Sequence, residues 1–215
     1  MDEQVERVRD VFDSWAASGR GHRMAASHSR AARVAFDALS VKPGERYLDI
    51  GCGVGFTVRW AASVDPSVDA YGIDVSSEMI AIARDQSAVN TRFIHAPFPL
   101  PMLKGGRFDA VFSMEVFYYL PDLGAGLAEV VRLLAPGGRF ACVVDFYAEN
   151  EASHRWPDDL GVAMTLLSEA GWRKAFAAAG LTEVRSQRLR ADAVAGEPPT
   201  WKQTEGSLMV TGVRG

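Results

Sequence analysis

The chain has 215 residues, 48% hydrophobic and 23% charged, enough for one sizeable globular domain with its own core. A net charge of −4 gives no electrostatic footprint for nucleic acid, and no apolar run approaches the length of a membrane span. Two cysteines, Cys52 and Cys142, suggest neither a disulfide framework nor a zinc site, and residues 1–10 lack the apolar core of a signal sequence, so a cytoplasmic setting is expected.

Val5, Val8, Val11, Phe12 and Trp15 recur at helical spacing and predict a helix over 3–17. Two glycines within Ser18–His22 break it. Ala31, Val34, Ala35, Ala38 and Leu39 then mark a second helix over 24–40. Pro43-Gly44 turns the chain into a strand over 45–50, which runs straight into Gly51-Cys52-Gly53-Val54-Gly55. Glycines so closely set let a ligand lie against bare backbone, because no Cβ intervenes and positive φ costs nothing. The spacing is G-x-G-x-G, with Phe56 where the dinucleotide fingerprint would place its last glycine. Asp49, at the strand's carboxyl end, suits a ligand carrying amines or hydroxyls and would repel a pyrophosphate. That combination points to S-adenosylmethionine rather than NAD.

A helix over 55–64 and a strand over 69–74 follow, then a helix over 77–88 that Ser76 or Ser77 caps, and a strand over 91–95. A strand over 108–113 leads to a helix over 123–134, which Ala135-Pro136-Gly137-Gly138 ends before a strand over 139–145. Beyond lie a helix over 168–179 and strands over 183–190 and 206–213. This alternation predicts an α/β fold with a parallel sheet covered by helices on both faces. Ligands of such sheets bind beyond the carboxyl ends of the strands, where Asp49, Asp74, Ser113 and Asp145 fall.

Four motifs, in this order, resemble those of the class I, Rossmann-like S-adenosylmethionine-dependent methyltransferases. Leu48-Asp49-Ile50-Gly51-Cys52-Gly53-Val54-Gly55 resembles the first, and Gly72-Ile73-Asp74-Val75-Ser76 the second. Phe108-Asp109-Ala110-Val111-Phe112-Ser113 resembles the strand 4 motif, and Leu134-Ala135-Pro136-Gly137-Gly138-Arg139-Phe140 the turn into strand 5. The resemblance covers residues 45–145 well and the remainder more loosely. It implies a Rossmann-like, seven-stranded, mostly parallel sheet with an antiparallel final strand and an N-terminal helical cap. The expected division of this single domain is a cap over 1–41, a cofactor-binding core over 42–145, and a substrate-side segment with C-terminal strands over 146–215.

The resemblance also implies S-adenosyl-L-methionine as cofactor and S-adenosyl-L-homocysteine as product. Gly51, Cys52, Gly53 and Gly55 form the loop that receives it, and Ser113 stands beside them at the end of strand 4. Asp74 accepts the ribose hydroxyls through charge-assisted bonds, about twice as strong as neutral ones. Asp49 faces the methionine end, directly or through water, or else holds the loop's own N–H groups. Val75 and Met79 lie against the adenine, unless Met79 is ordinary helix core. Where the family usually reads glycine-aspartate-alanine after strand 3, this chain has His95-Ala96-Pro97 and no acid. Ala96 backbone groups and a wall stiffened by Pro97, Pro99 and Pro101 are expected there, or the local alignment differs.

Methyl transfer from a sulfonium is an in-line displacement, and holding the reactants in line can supply about 7–11 kcal/mol. A base is needed only where the nucleophile must lose a proton, and contributes about 10²–10⁴-fold. The four histidines are His22, His28, His95 and His154. His22 and His28 lie in the segment that in relatives of this size folds over cofactor and substrate. His154 lies in the aromatic stretch Phe146–Trp156, a pocket wall or a surface loop. His22, His154 and Tyr118 are the catalytic candidates; a tyrosine face stabilises a sulfonium by roughly 0.5–2 kcal/mol, unless Tyr118 is core packing. No metal is expected. Residues 197–201 read as a loop whose Trp201 closes the pocket or covers an edge.

The aspartate/asparagine-proline-proline-aromatic motif of amino-methylating DNA and protein enzymes is absent. The short chain, acidic charge and aromatic cap point to a small-molecule acceptor with an oxygen, nitrogen or carbon nucleophile. No membrane or nucleic-acid partner is expected, and the assembly is a monomer or homodimer. Methylation of protein or RNA, and non-catalytic binding of S-adenosylmethionine, are the alternatives.

Overall fold

A computed structural model of the chain describes residues 2–192 and 198–215. Its centre is a seven-stranded sheet in the order β3-β2-β1-β4-β5-β7-β6. The strands are β1 (Arg46–Ile50), β2 (Asp69–Asp74), β3 (Thr91–His95), β4 (Phe108–Met114), β5 (Leu134–Val144), β6 (Leu181–Leu189) and β7 (Ser207–Arg214). β7 pairs antiparallel with both β5 and β6, and the remaining pairs are parallel. The order steps outward from β1 in both directions, so a crevice opens beyond the carboxyl ends of β1 and β4.

Both faces of the sheet are buried, which is why its central strands read as nearly continuous apolar runs. Alternate residues serve opposite layers. Leu48, Ile50, Val111, Phe140 and Val210 pack with α5 (Leu123–Leu133) and α7 (Glu169–Ala178). Tyr47, Phe112, Ala141, Val143 and Met209 pack with α2 (Arg20–Leu39), α3 (Phe56–Val64) and α4 (Ser77–Asp85).

The N-terminal break is shorter than expected. α1 (Glu3–Ala17) ends at Ser18, and Gly19, at φ 67°, starts α2 at once, so His22 and His28 both lie on α2. α2 has two roles along its length. Ala32, Ala35, Phe36 and Leu39 join the sheet's packing layer, while its first half roofs the crevice together with α1. Ser76 caps α4, its hydroxyl accepting from the Met79 N–H at 3.1 Å.

In β5, Leu134 pairs with Phe108 and Arg139 with Ala110, so the proline-glycine turn at 135–138 bulges out of a strand that begins earlier than the sequence implied. Two short helices were not anticipated: α6 (Trp156–Leu160) and α8 (Trp201–Thr204). The second begins within the expected loop over 197–201, of which Glu197 lies outside the described residues. Among the described residues, no helix is long and apolar enough to cross a membrane.

Candidate active site

The loop after β1 folds back on its neighbour: the Gly51 and Cys52 N–H groups both donate to the Ile73 carbonyl, at 2.8 and 3.0 Å. At Gly51, with φ 75°, an added Cβ would stand 2.1 Å from Val116 Cγ2, so this glycine admits the segment after β4. At Gly53, with φ 50°, an added Cβ would meet nothing within 4 Å, because that position faces the open crevice. Asp49, Gly51, Cys52, Gly53, Asp74, Val75, Met79, Ala96 and Pro97 line this one crevice.

Two expected members lie elsewhere. Gly55 opens α3 against the neighbouring layer, where a Cβ would stand 2.6 Å from the Phe93 ring. Ser113 is fully buried, its hydroxyl donating to the Ile50 carbonyl at 2.8 Å to tie β4 to β1. Met79 has two faces, since it lines the crevice and also packs with Ala16 and Val54 beneath the cap.

The acids at the strand ends are held, not solvated. Asp74 Oδ2 accepts from the Gly53 N–H and Oδ1 from the Ser76 N–H, each at 2.8 Å. Burial nevertheless pushes Asp74 up to about 6. Asp49 is 2% exposed, and burial pushes it up to about 7 although the Thr57 hydroxyl donates to Oδ2. Its Oδ1 is buried and has no hydrogen-bond partner among the described residues. An unpaired buried carboxylate oxygen costs free energy unless a donor arrives to meet it.

These shifts set a pH dependence. Folded Asp49 keeps its proton to about pH 7, whereas an unfolded aspartate loses it near 3.9. The folded state therefore binds more protons in that window, and stability falls as pH rises through it. Asp74 and Asp145, both raised by burial to about 6, act in the same direction. His28 opposes them below its ordinary value near 6.5, because burial lowers it to about 4 when folded. Between pH 8 and 6.5 His28 opposes the acids only in part, because the unfolded imidazole is no more than about half protonated there. The unliganded protein is expected to melt at a higher temperature at pH 6.5 than at pH 8, with Asp49→Asn shrinking the difference. Equal Tm values at the two pH values would show that Asp49 ionises freely.

At the other end of the crevice three titratable side chains from three elements meet. Ligand atoms of His28 on α2, Glu115 after β4 and Asp145 after β5 lie within 4.8 Å of one another. Glu115 Oε1 accepts from the Asp145 N–H at 2.6 Å and Oε2 from the Tyr118 hydroxyl at 2.7 Å. Burial, then the neighbouring Asp145, raises Glu115 well above the carboxylate range. Glu115 also has φ 60°, a strained backbone for a residue with a side chain, of the kind that clusters at functional sites. His28 Nε2 stands 3.7 Å from Asp145 Oδ2.

The three catalytic candidates from the sequence are not in this crevice's wall. His22 lies exposed on α2, and His154 is exposed with Nε2 3.1 Å from the Ala148 carbonyl. Tyr118 is buried behind the wall, where its hydroxyl positions Glu115. Glu115 and Asp145 carried one sequence signal, an acid at the exit of an apolar strand; nothing distinguished His28 from His22.

The methyltransferase domain family matches residues 48–142. The demethylmenaquinone methyltransferase of Beutenbergia cavernae is 30% identical over 174 residues, covering 66% of this chain and 71% of that one. A Haloferax volcanii methyltransferase, solved in complex with the Trm112 methyltransferase activator, superposes with a TM-score of 0.83 at 34% identity, covering 94% of this chain and 96% of its own. The chain belongs to the class I S-adenosylmethionine-dependent methyltransferases.

The sheet of this methyltransferase also matches geranyl diphosphate C-methyltransferase of Streptomyces coelicolor A3(2), solved with S-adenosylhomocysteine (TM-score 0.71, 16% identity, 87% of this chain and 76% of that one). The chain spans 36% and 37% of the length of two plant cycloartenol methyltransferases that it matches. S-adenosylmethionine is the cofactor, and the crevice fits it on two counts. Gly53 leaves bare backbone facing open space, and the orphaned Asp49 Oδ1 awaits a donor such as an ammonium group.

Proposed function

We propose that this methyltransferase acts on a small molecule whose nucleophilic atom sits between the cofactor's methyl and the His28–Glu115–Asp145 cluster. The cofactor supplies an activated methyl on a sulfonium. Gly53 and its neighbours receive the cofactor against the backbone, Asp74 takes the ribose hydroxyls, and Asp49 Oδ1 takes the ammonium. Val75, Met79, Ala96 and Pro97 surround the adenine. His28, lowered by burial to about 4, is a neutral imidazole near pH 7 and has a lone pair to receive the acceptor's proton. Asp145 Oδ2, 3.7 Å away, stabilises the imidazolium so formed.

The observation that carries the small-molecule reading is the roof. Val5, Val8 and Phe12 of α1, with Met24 and Ala25 of α2, close the crevice with apolar side chains, where a protein or RNA acceptor needs an open charged groove. Curated relatives named for demethylmenaquinone, cycloartenol and tocopherol support it. On this reading residues 1–41 are the cap over a core at 42–145, and the enzyme works in the cytoplasm as a monomer or homodimer with Cys52 and Cys142 as buried thiols. Incubation with labelled S-adenosylmethionine is expected to label low-mass extract components; label confined to protein or RNA fractions would refute it.

Asp74→Ala is expected to weaken S-adenosylhomocysteine binding by about 1.5–3 kcal/mol, the range for hydrogen bonds to a charged group. Calorimetric affinity equal to the wild type would remove Asp74 from the site.

One further reading concerns partners. The Haloferax neighbour is solved with an activator protein, and here β3 leaves an open sheet edge, with the exposed side chain of Val89 two residues before it. An activator of that kind would add along this edge by strand pairing. Co-expression with such an activator should give a 1:1 complex on size-exclusion chromatography that Val89→Lys disrupts; separate elution would dismiss the partner.

A further inference from the structure

His28 is shared by two cavities. Besides the cofactor crevice, it lines a second cleft of about 390 Å³ bounded by α2, the end of β6 and α8. That volume lies within the usual range of small-molecule sites. Among the described residues, the charged side chains of its lining are all basic: Arg30, Arg188, Arg190 and Lys202, with His28 at the inner wall. Two of these cations are already matched. Arg30 pairs with Asp192, and Arg188 donates to Glu169 at 2.8 Å and to the Tyr147 hydroxyl at 2.7 Å. Arg190 and Lys202 make no salt bridge among the described residues.

Lys202 is only partly exposed, and its ammonium stands 5.6 Å from the centroid of the Trp201 ring. Lys202 lines the same cleft as His28, and its positive charge lowers the His28 imidazole and the two acids of the cluster. A cleft lined by one sign of charge focuses the field and concentrates ligands of the opposite sign.

We propose that this second cleft is the acceptor's anchoring site, in which Lys202 and Arg190 hold a carboxylate or phosphate group while the rest of the acceptor reaches past His28 to the methyl. The acceptor is thus an anionic small molecule whose nucleophile and charged group lie on opposite sides of His28. This assignment rests on the proposed methyl transfer to a small molecule.

Calorimetric titration of the S-adenosylhomocysteine-loaded protein tests it, with benzoate and phenyl phosphate as anionic probes and benzyl alcohol as the neutral one. At least one anion is expected to bind tenfold or more tightly than the alcohol, and the tighter anion distinguishes carboxylate from phosphate. The preference should fall to within twofold in Lys202→Met/Arg190→Met, and partly in the single Arg190→Met variant at an exposed position. Anions no better than the alcohol, or a preference that survives the substitutions, would overturn the anchoring site. Uptake of S-adenosylhomocysteine is measured first on each sample. Loss of uptake by the wild type refutes the function itself, whereas normal uptake with no anion preference refutes the second cleft alone.

Discussion

Gly53→Val is expected to abolish cofactor binding while the protein still melts cooperatively. Gly53 has φ 50°, and its missing Cβ points into open crevice, not at protein. An isopropyl group there occupies the space where the cofactor must meet backbone. It also strains a left-handed residue by about 1–2 kcal/mol. Its N–H is bonded to Asp74, so the same strain disturbs the carboxylate proposed to take the ribose hydroxyls. The packing layers on either side of the sheet do not include this residue, so the cost to stability stays near the strain alone. Gly51→Ala is the contrasting control, because there the new methyl collides with Val116 and stability itself must fall. Calorimetry with S-adenosylhomocysteine and a thermal melt of both variants separate the two roles. Wild-type affinity in Gly53→Val would mean that the cofactor lies elsewhere.

The crevice beside the glycine loop was legible because most of the residues expected there are close in sequence and tied to a local pattern. An apolar strand followed at once by alternating glycines leaves few conformations, and the acid of β2 falls beside it by parallel pairing, Asp49 opposite Gly72. The two expected members outside the crevice lining have the same type of cause. Ser113 has the right position along its strand, but its hydroxyl turns to the Ile50 carbonyl, and Gly55 serves a helix contact with Phe93. Composition cannot distinguish a glycine that faces a ligand from one that faces a ring. The His28–Glu115–Asp145 cluster was less legible because it is assembled from α2, the exit of β4 and the exit of β5, which no short motif joins. α2 starts four residues earlier than expected and so carries both histidines, His22 exposed and His28 in the wall. The hidden α8 carries Lys202, and its Thr200–Gln203 capping box follows a proline pair that reads as loop.

His28→Ala is expected to lower kcat by about 10²–10⁴-fold, the usual contribution of a positioned base. The reduction should come with S-adenosylhomocysteine affinity near the wild-type value, since the residues proposed to hold the cofactor belong to other elements. His22→Ala and His154→Ala alter exposed surface and should remain within about 0.5 kcal/mol of wild-type stability, with kcat unchanged. Glu115→Gln separates the base from its support. Glu115 accepts two hydrogen bonds, from the Asp145 N–H and the Tyr118 hydroxyl, and a glutamine amide nitrogen can accept neither. One donor is then left unpaired, so this variant should lose stability as well as rate, whereas His28→Ala removes a side chain that makes no hydrogen bond among the described residues. The rate–pH profile makes the distinction sharper: without His28, its acidic limb should flatten. Full activity in His28→Ala would show that the acceptor gives up its proton to water or to Glu115, and the cluster would then serve to orient the acceptor rather than to deprotonate it.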